Sequence, residues 1–233
     1  MLLNQNDQKT ILAAQAANFV EPGMLLGLGT GSTVDIFISI LGEKFGTLKT
    51  LEVVPTSLDS ADKASRLGIK IIEPKAGLSP DLLIDGADEV STDLSMTKGG
   101  GGALLWEKIV AQNSKKRIYI ADSTKLVREL GQFPLPVEVV LFGHEWTYVE
   151  LKKFFHSVSI RKTAKGDIFK TNSGNVIYDC QITDNVKVSG LDVDLSKVPG
   201  VITTGLFVDF IDILITIKNE SVIEIETARE VFW

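Results

Sequence analysis

The chain is poor in the side chains that bind metals and form cross-links. Its 233 residues include one cysteine, Cys180, and two histidines, His144 and His156. A single cysteine cannot close an internal disulfide, which fits a reducing cytosol. Cys180 falls in a strand-like run, NVIYDCQI, and reads as packing. The histidines lie on one predicted helix without convergent cysteines or carboxylates, so no zinc spacing is present. Ser57 and Ser123 have no histidine at a suggestive spacing, which leaves a Ser–His–acid triad without support. Basic charge is also short: 24 Lys and Arg against 30 Asp and Glu give a net charge of −6. That balance argues against a sequence-independent grip on nucleic acid, although a small anion remains open to local lysines and backbone amides. No apolar run reaches membrane-spanning length, and even FVDFIDILITI is broken by Asp209 and Asp212. The first twenty residues lack a basic leader before an apolar core and read as an amphipathic helix, not a signal peptide. No internal repeat or low-complexity tract is visible. The expectation is a soluble cytoplasmic protein with neither a nucleic-acid nor a membrane partner.

Apolar residues are plentiful, at 44% of the chain, enough for one large domain or a medium domain with a small companion. The pattern alternates. A helix over 7–19 precedes an apolar strand at 24–29, then a helix opening at Thr30–Thr33. Strands follow at 51–55, 70–74, 81–85 and 117–122, with helices ending near Leu67 and Asn113. Such alternation predicts an α/β fold with a doubly wound, mostly parallel, Rossmann-like sheet. In these sheets ligands collect at the carboxyl ends of the strands. Thr30–Thr33, Thr56–Ser57, Asp85–Asp88 and Ser123–Lys125 all fall there.

Near Gly131 the pattern changes. Pro134 and Pro136 mark a linker or strand edge. A strand VEVVLF, a helix from His144 and strands at SIRK and DIFKTNSGNVIYDCQI follow, the last turned at Asn172–Gly174. A short helix LDVDLSKVPG closes a smaller α+β segment, and FIDILITI with VIEIE, turned at 218–220, rejoins the first domain. The division reads as 1–131 with 206–233 for the larger domain and 132–205 for the smaller.

The stretch DGADEVSTDLSMTKGGGGALLWEK, residues 85–108, carries the chemistry. Asp85 and Asp88 are separated by Gly86 and Ala87. Lys98 is followed at once by Gly99, Gly100, Gly101 and Gly102, and Glu107 sits one to two turns into a helix. Each glycine costs backbone entropy on folding, and no packing rule asks for four together. A glycine run opening a helix does present several N–H groups to an anion. If Glu107 faces the same mouth, a base and an oxyanion site lie close together, as proton transfer beside a carbonyl requires. The plain alternative is a solvated acidic turn followed by a flexible loop. Asp85, Asp88 and Glu89 also form a candidate Mg²⁺ cluster, with a metal-free site left equally open by the neighbouring Lys98.

GLGTGST, residues 27–33, is a candidate phosphate cradle built on Thr30, Gly31, Ser32 and Thr33. It fails the dinucleotide fingerprint, because Ser32 stands where the third glycine belongs and no acid ends the second strand. It fails the P-loop for want of Gly-Lys-Ser/Thr. A turn suited to one phosphate group remains, against the alternative of a tight turn capped by Thr30 or Ser32. Lys125 is a second phosphate contact or a surface lysine. Trp106 and Trp146 read as packing groups.

Together GLGTGST, DGADE at 85–89, KGGGGAL at 98–104 with Glu107–Lys108, FPLPVEV at 133–139 and PGVITTGLF at 199–207 resemble the A-type ribose-5-phosphate isomerases. The blocks stand in the family's order over most of the chain. The resemblance implies interconversion of ribose 5-phosphate and ribulose 5-phosphate in the non-oxidative pentose phosphate pathway, with no metal and no organic cofactor. It implies that Glu107 is the base moving a proton between C2 and C1, and that Asp85, Asp88 and Lys98 are polar active-site groups. It further implies substrate binding by Thr30–Thr33, Asp85–Asp88, Lys98–Gly101 and Lys125, a ferredoxin-like small domain, and a homodimer or homotetramer. Two rivals stand beside it. One is an isomerase of another sugar phosphate. The other is a non-catalytic sugar-phosphate sensor, which needs the phosphate turn but not the Lys98–Glu107 pair.

Overall fold

The computed structural model describes residues 3–45, 51–182, 188, 190–218 and 221–226. The chain forms two units, one of Met1–Ala87, Trp106–Leu126 and Asp209–Trp233, the other of Asp88–Leu105 and Val127–Val208. The segment 88–105, read from sequence as part of the larger domain, clusters with the second unit.

The first unit opens with α1 (Gln5–Ala16), capped by the Asn4 side chain, which accepts from Asp7 N. The predicted helix to residue 19 ends as a 3₁₀ turn over Ala17–Phe19. In chain order come β1 (Leu25–Leu28), α2 (Ser32–Phe45), β2 (Glu52–Pro55), α3 (Leu58–Arg66), β3 (Lys70–Ile71) and β4 (Leu82–Gly86). The unit contributes further α4 (Leu104–Asn113), of which residues 104 and 105 cluster with the other unit, β7 (Arg117–Ala121), β13 (Ile213–Lys218) and β14 (Ser221–Glu226). The strands form one sheet in the order β14-β13-β7-β4-β1-β2-β3. All neighbours pair in parallel except β13 with β14, which pair as a hairpin whose turn at 219–220 lies outside the described residues.

Strand period decides which residues face which layer. Leu26, Leu28, Ile84, Ile118 and Ile120 point to a core closed by Leu12 and Ala16 of α1 and by Phe37, Ile38 and Leu41 of α2. Each such side chain contributes about 1.5–3 kcal/mol on burial. The alternate residues Gly27, Leu83, Asp85, Arg117 and Tyr119 lie on the other face. There Val110 of α4 approaches Gly27 so closely that an added Cβ would sit 2.9 Å from it. Arg117 on this face grips Asp212 with Nε and Nη2, both at 2.8 Å, and stays largely buried.

The second unit contains β8 (Leu135–Val139), α5 (His144–Leu151), β9 (Val158–Ile160), β10 (Val176–Cys180), α6 (Leu191–Ser196) and β11 (Val201–Thr204). Its four-stranded antiparallel sheet runs β11-β8-β10-β9. This βαββαβ order is ferredoxin-like. The turn expected at Asn172–Gly174 is present, with Thr171 N and Asn175 O bonded at 2.9 Å. Cys180 is buried against Leu135, Val158 and their neighbours, and burial pushes its thiol well above the usual range, as a packing role requires. Trp146 is the exception to the sequence reading. It is 77% exposed on α5, because the helix turns it away from the β8–β10 core.

A third, three-stranded sheet has no forecast in the sequence: β5 (Glu89–Val90), β6 (Met96–Thr97) and β12 (Leu206–Phe207), in the order β12-β6-β5. Each strand has two residues, too few for a periodic signal.

Candidate active site

In the first unit the site grows from the carboxyl ends of β1 and β4. Asp85 is fully buried, and its Oδ1 accepts from Thr30 N at 3.1 Å and Gly86 N at 2.7 Å. Gly29 makes this possible, since a Cβ there would lie 2.2 Å from Asp85 Oδ1. The Thr30 hydroxyl is drawn into a cluster with Thr56 (2.7 Å), Ser57 (2.8 Å) and Ser60 (2.9 Å). Ser60 Oγ then donates to Gly29 O at 2.8 Å. Thr30 thus ties the β1 turn to α3, while Gly31, Ser32 and Thr33 remain at the mouth of α2, with Ser32 exposed.

Helix α1 supplies a contact that the sequence did not reveal. Lys9 Nζ donates to Ser32 Oγ at 2.9 Å. The preceding residue, Gln8, accepts at Oε1 from Ser123 N and Oγ, and one turn before Lys9 the Gln5 Nε2 donates to Asp122 and Thr124. Helix α1 therefore touches both the Ser32 turn and the 3₁₀ turn Ser123–Lys125, on which Lys125 is half-buried. Replacing Lys9 with Met removes a cation from the Ser32 turn. The expected result is about 10-fold weaker binding of inorganic phosphate, measured by isothermal titration calorimetry.

Glu107 lies in the first turn of α4 and is 3% exposed. The helix N-terminus favours negative charge there. Across the sheet Asp85 is in register with Tyr119 of β7. Tyr119 is fully buried and its hydroxyl is held well above its ordinary value, first by burial and then by the charge of Asp85. Arg117 opposes that rise, and Glu107 and Asp212 add to it. Both carboxylates therefore act on one neutral phenol.

In the second unit Asp88, Lys98 and the glycines form their own cluster. Asp88 N bonds Thr97 O, and its Oδ2 accepts from Gly100 N at 2.7 Å. Lys98 is 2% exposed, its backbone N bonded to Gly205 O at 2.8 Å and its ammonium 5.7 Å from the Phe207 ring centroid. A ring face at that distance attracts a cation. The glycines also have steric reasons that the sequence reading did not supply. A Cβ on Gly100 would meet Asp88 Oδ1 at 2.6 Å, and one on Gly102, at φ +80°, would meet the Phe169 ring at 2.4 Å. Packing asks for at least these two.

The acids considered for Mg²⁺ each have backbone partners. Both Glu89 oxygens accept backbone N–H groups, from Gly131 at 2.9 Å and Phe133 at 2.6 Å, so this acid anchors a loop. Among the described residues no group of three or more His, Cys, Asp or Glu side chains is arranged to hold a metal ion. His144 Nδ1 instead lies 2.8 Å from the Tyr178 hydroxyl.

A doubly wound sheet with buried carboxylates at its strand ends, in a chain that also carries a lysine–glycine loop, holds the group types that proton transfer beside a carbonyl requires. Residues 52–221 match the family of ribose 5-phosphate isomerase A (phosphoriboisomerase A). Ribose-5-phosphate isomerase A of Parvibaculum lavamentivorans is 42% identical over 230 residues, covering 95% of this chain and all of that one. A solved D-ribose-5-phosphate isomerase in complex with phospho-erythronic acid is 34% identical with a TM-score of 0.90, over 97% of this chain and 100% of that chain. The Plasmodium falciparum ribose 5-phosphate isomerase gives 32% and 0.90, over 95% and 98%. The chain belongs to the ribose 5-phosphate isomerase A family, whose reaction is ribose 5-phosphate to ribulose 5-phosphate.

Proposed function

We propose that the chain performs this isomerisation without a metal, by proton transfer through an enediolate, with Glu107 as the base. The supporting observation is that the first unit holds two buried carboxylates, Asp85 at the carboxyl end of β4 and Glu107 in the first turn of α4. In the open-chain sugar Glu107 takes the C2 proton, and the C–H electrons become the C1=C2 bond while charge moves to O1. The same carboxyl returns the proton to C1 as the O2 proton passes to O1, which leaves O2 as the ketone oxygen and O1 as a hydroxyl. Asp85 and Asp88 assist ring opening. Lys98 and the Gly99–Gly101 amides stabilise the enediolate oxygens. The Thr30–Thr33 turn, Lys125 and Lys9 hold the phosphate, and Gly86 and Ala87 line the substrate beside the two aspartates. A positioned base supplies about 10²–10⁴-fold and each oxyanion donor about 10²–10³-fold. Turnover of ribose 5-phosphate should exceed that of glucose 6-phosphate by about 10²-fold or more. Equal rates on both, measured as kcat/KM, would remove the pentose assignment.

The reading also places the enzyme in the cytoplasm and in a homodimer or homotetramer. No described helix is long and apolar enough to cross a membrane, and the one thiol is buried. Phe142 is 84% exposed, Trp146 77% and Val149 56%, all on or beside α5. Such a cluster of large apolar groups fits a face that a second copy covers. Trp146→Glu should shift the protein to a smaller assembly, read by light scattering after size exclusion. An unchanged mass would exclude α5 from the interface.

A further inference from the structure

Within the second unit, the first residue after β9 touches the glycine loop directly. Arg161 has a side chain only 13% exposed and is fixed on both sides. On one side its Nε donates to Asp179 Oδ2 at 3.0 Å, and its Nη2 bonds Asp179 Oδ1. On the other its Nη1 donates to two consecutive carbonyls, Gly99 O at 2.7 Å and Gly100 O at 3.1 Å. The fork on Asp179 fixes the guanidinium plane, and a planar guanidinium has little freedom left.

The consequence follows from peptide geometry. In a trans peptide the N–H points opposite to the C=O. Holding the Gly99 carbonyl on Arg161 therefore turns Gly100 N–H away from it, and that N–H is found on Asp88 at 2.7 Å. Holding the Gly100 carbonyl likewise turns Gly101 N–H away from the guanidinium. A cation bonded to these carbonyls also polarises the amides and strengthens them as donors. Without such a clamp a four-glycine run has the freest backbone of any sequence, and its N–H directions are unset.

We infer that Arg161, locked by Asp179, is a positioning residue of the isomerase. It orients the Gly100 and Gly101 amides, so that one fixes the Asp88 carboxylate and the other faces a substrate oxygen. The inference rests on the reading that the glycine loop serves the enediolate. Its signature is a loss in the transition state and not in phosphate binding.

The test compares the full-length protein with Arg161→Met, Arg161→Lys and Asp179→Asn. For Arg161→Met, kcat should fall about 10²-fold, with KM changed less than about threefold. Phospho-erythronic acid has a planar, charged carboxylate that mimics the two enediolate oxygens, so its inhibition should weaken by the same factor as kcat. Inhibition by inorganic phosphate should stay as in wild type. Arg161→Lys, which keeps the charge and can reach one carbonyl, should recover part of the loss, and Asp179→Asn should fall between Met and wild type. Wild-type kcat in Arg161→Met overturns the inference, as does an equal loss of phosphate and phospho-erythronic acid binding. If neither Arg161 variant folds, Asp179→Asn decides, and wild-type kcat there is equally fatal. Failure of wild-type protein to convert ribose 5-phosphate would instead overturn the functional reading itself.

Discussion

Glu107→Gln should fold as wild type does and lose about 10²–10⁴-fold in kcat. Glutamine matches glutamate in size, so α4 keeps its packing. The acid at the helix N-terminus contributes only about 0.3–1 kcal/mol through the dipole. For a chain of this length that corresponds to a melting shift of about 4 °C or less. The amide cannot take a proton from C2, so the chemical step loses its base while the phosphate contacts remain. Circular dichroism melts and steady-state rates read the two quantities separately. Wild-type-like turnover in the folded variant would remove Glu107 from the mechanism.

Gly29→Ala should be the most damaging single methyl addition at the site. The new Cβ would lie 2.2 Å from Asp85 Oδ1 and 2.6 Å from Asp85 Cα, and the Cα belongs to a central strand that cannot retreat. Overpacking of this kind costs about 1–3 kcal/mol. Displacing a buried carboxylate from its backbone donors costs about 1–3 kcal/mol more. The sum is a large fraction of a typical domain's stability, so a fall in melting temperature of about 5 °C or more is expected, with activity lost. Gly86→Ala is the stability control, because its Cβ meets nothing nearer than 3.9 Å. A Gly29→Ala protein with wild-type melting and turnover would contradict the Asp85 geometry.

The parallel sheet was legible because its strands are short apolar runs separated by turn residues and amphipathic helices. Those signals are local. The two-residue strands are too short for a periodic signal: Glu89–Val90 and Met96–Thr97 pair within ten residues of each other, and Leu206–Phe207 joins Met96–Thr97 from more than a hundred residues away. The polar groups at strand ends were legible for the same topological reason that ligands gather there. Lys9, Tyr119 and Arg161 were not. Each is an ordinary residue of its own helix or strand, and only tertiary contact brings it to Ser32, to Asp85 or to the glycine carbonyls. The glycine run was read from backbone entropy alone, which pointed to an anion. Asp88 and Phe169 show that side chains also demand two of those glycines. Trp146 reads as core by residue type, yet its helix face leaves it in solvent.

The most direct measurement follows ribose 5-phosphate in heavy water, with purified protein in excess EDTA and Glu107→Gln alongside. The account predicts ribulose 5-phosphate formation unaffected by the chelator and lost in the variant, with deuterium entering C1 of the product only as far as the Glu107 carboxyl exchanges with solvent during turnover. Turnover that stops on chelation, or that persists at the wild-type rate in Glu107→Gln, would contradict a metal-free proton transfer by Glu107.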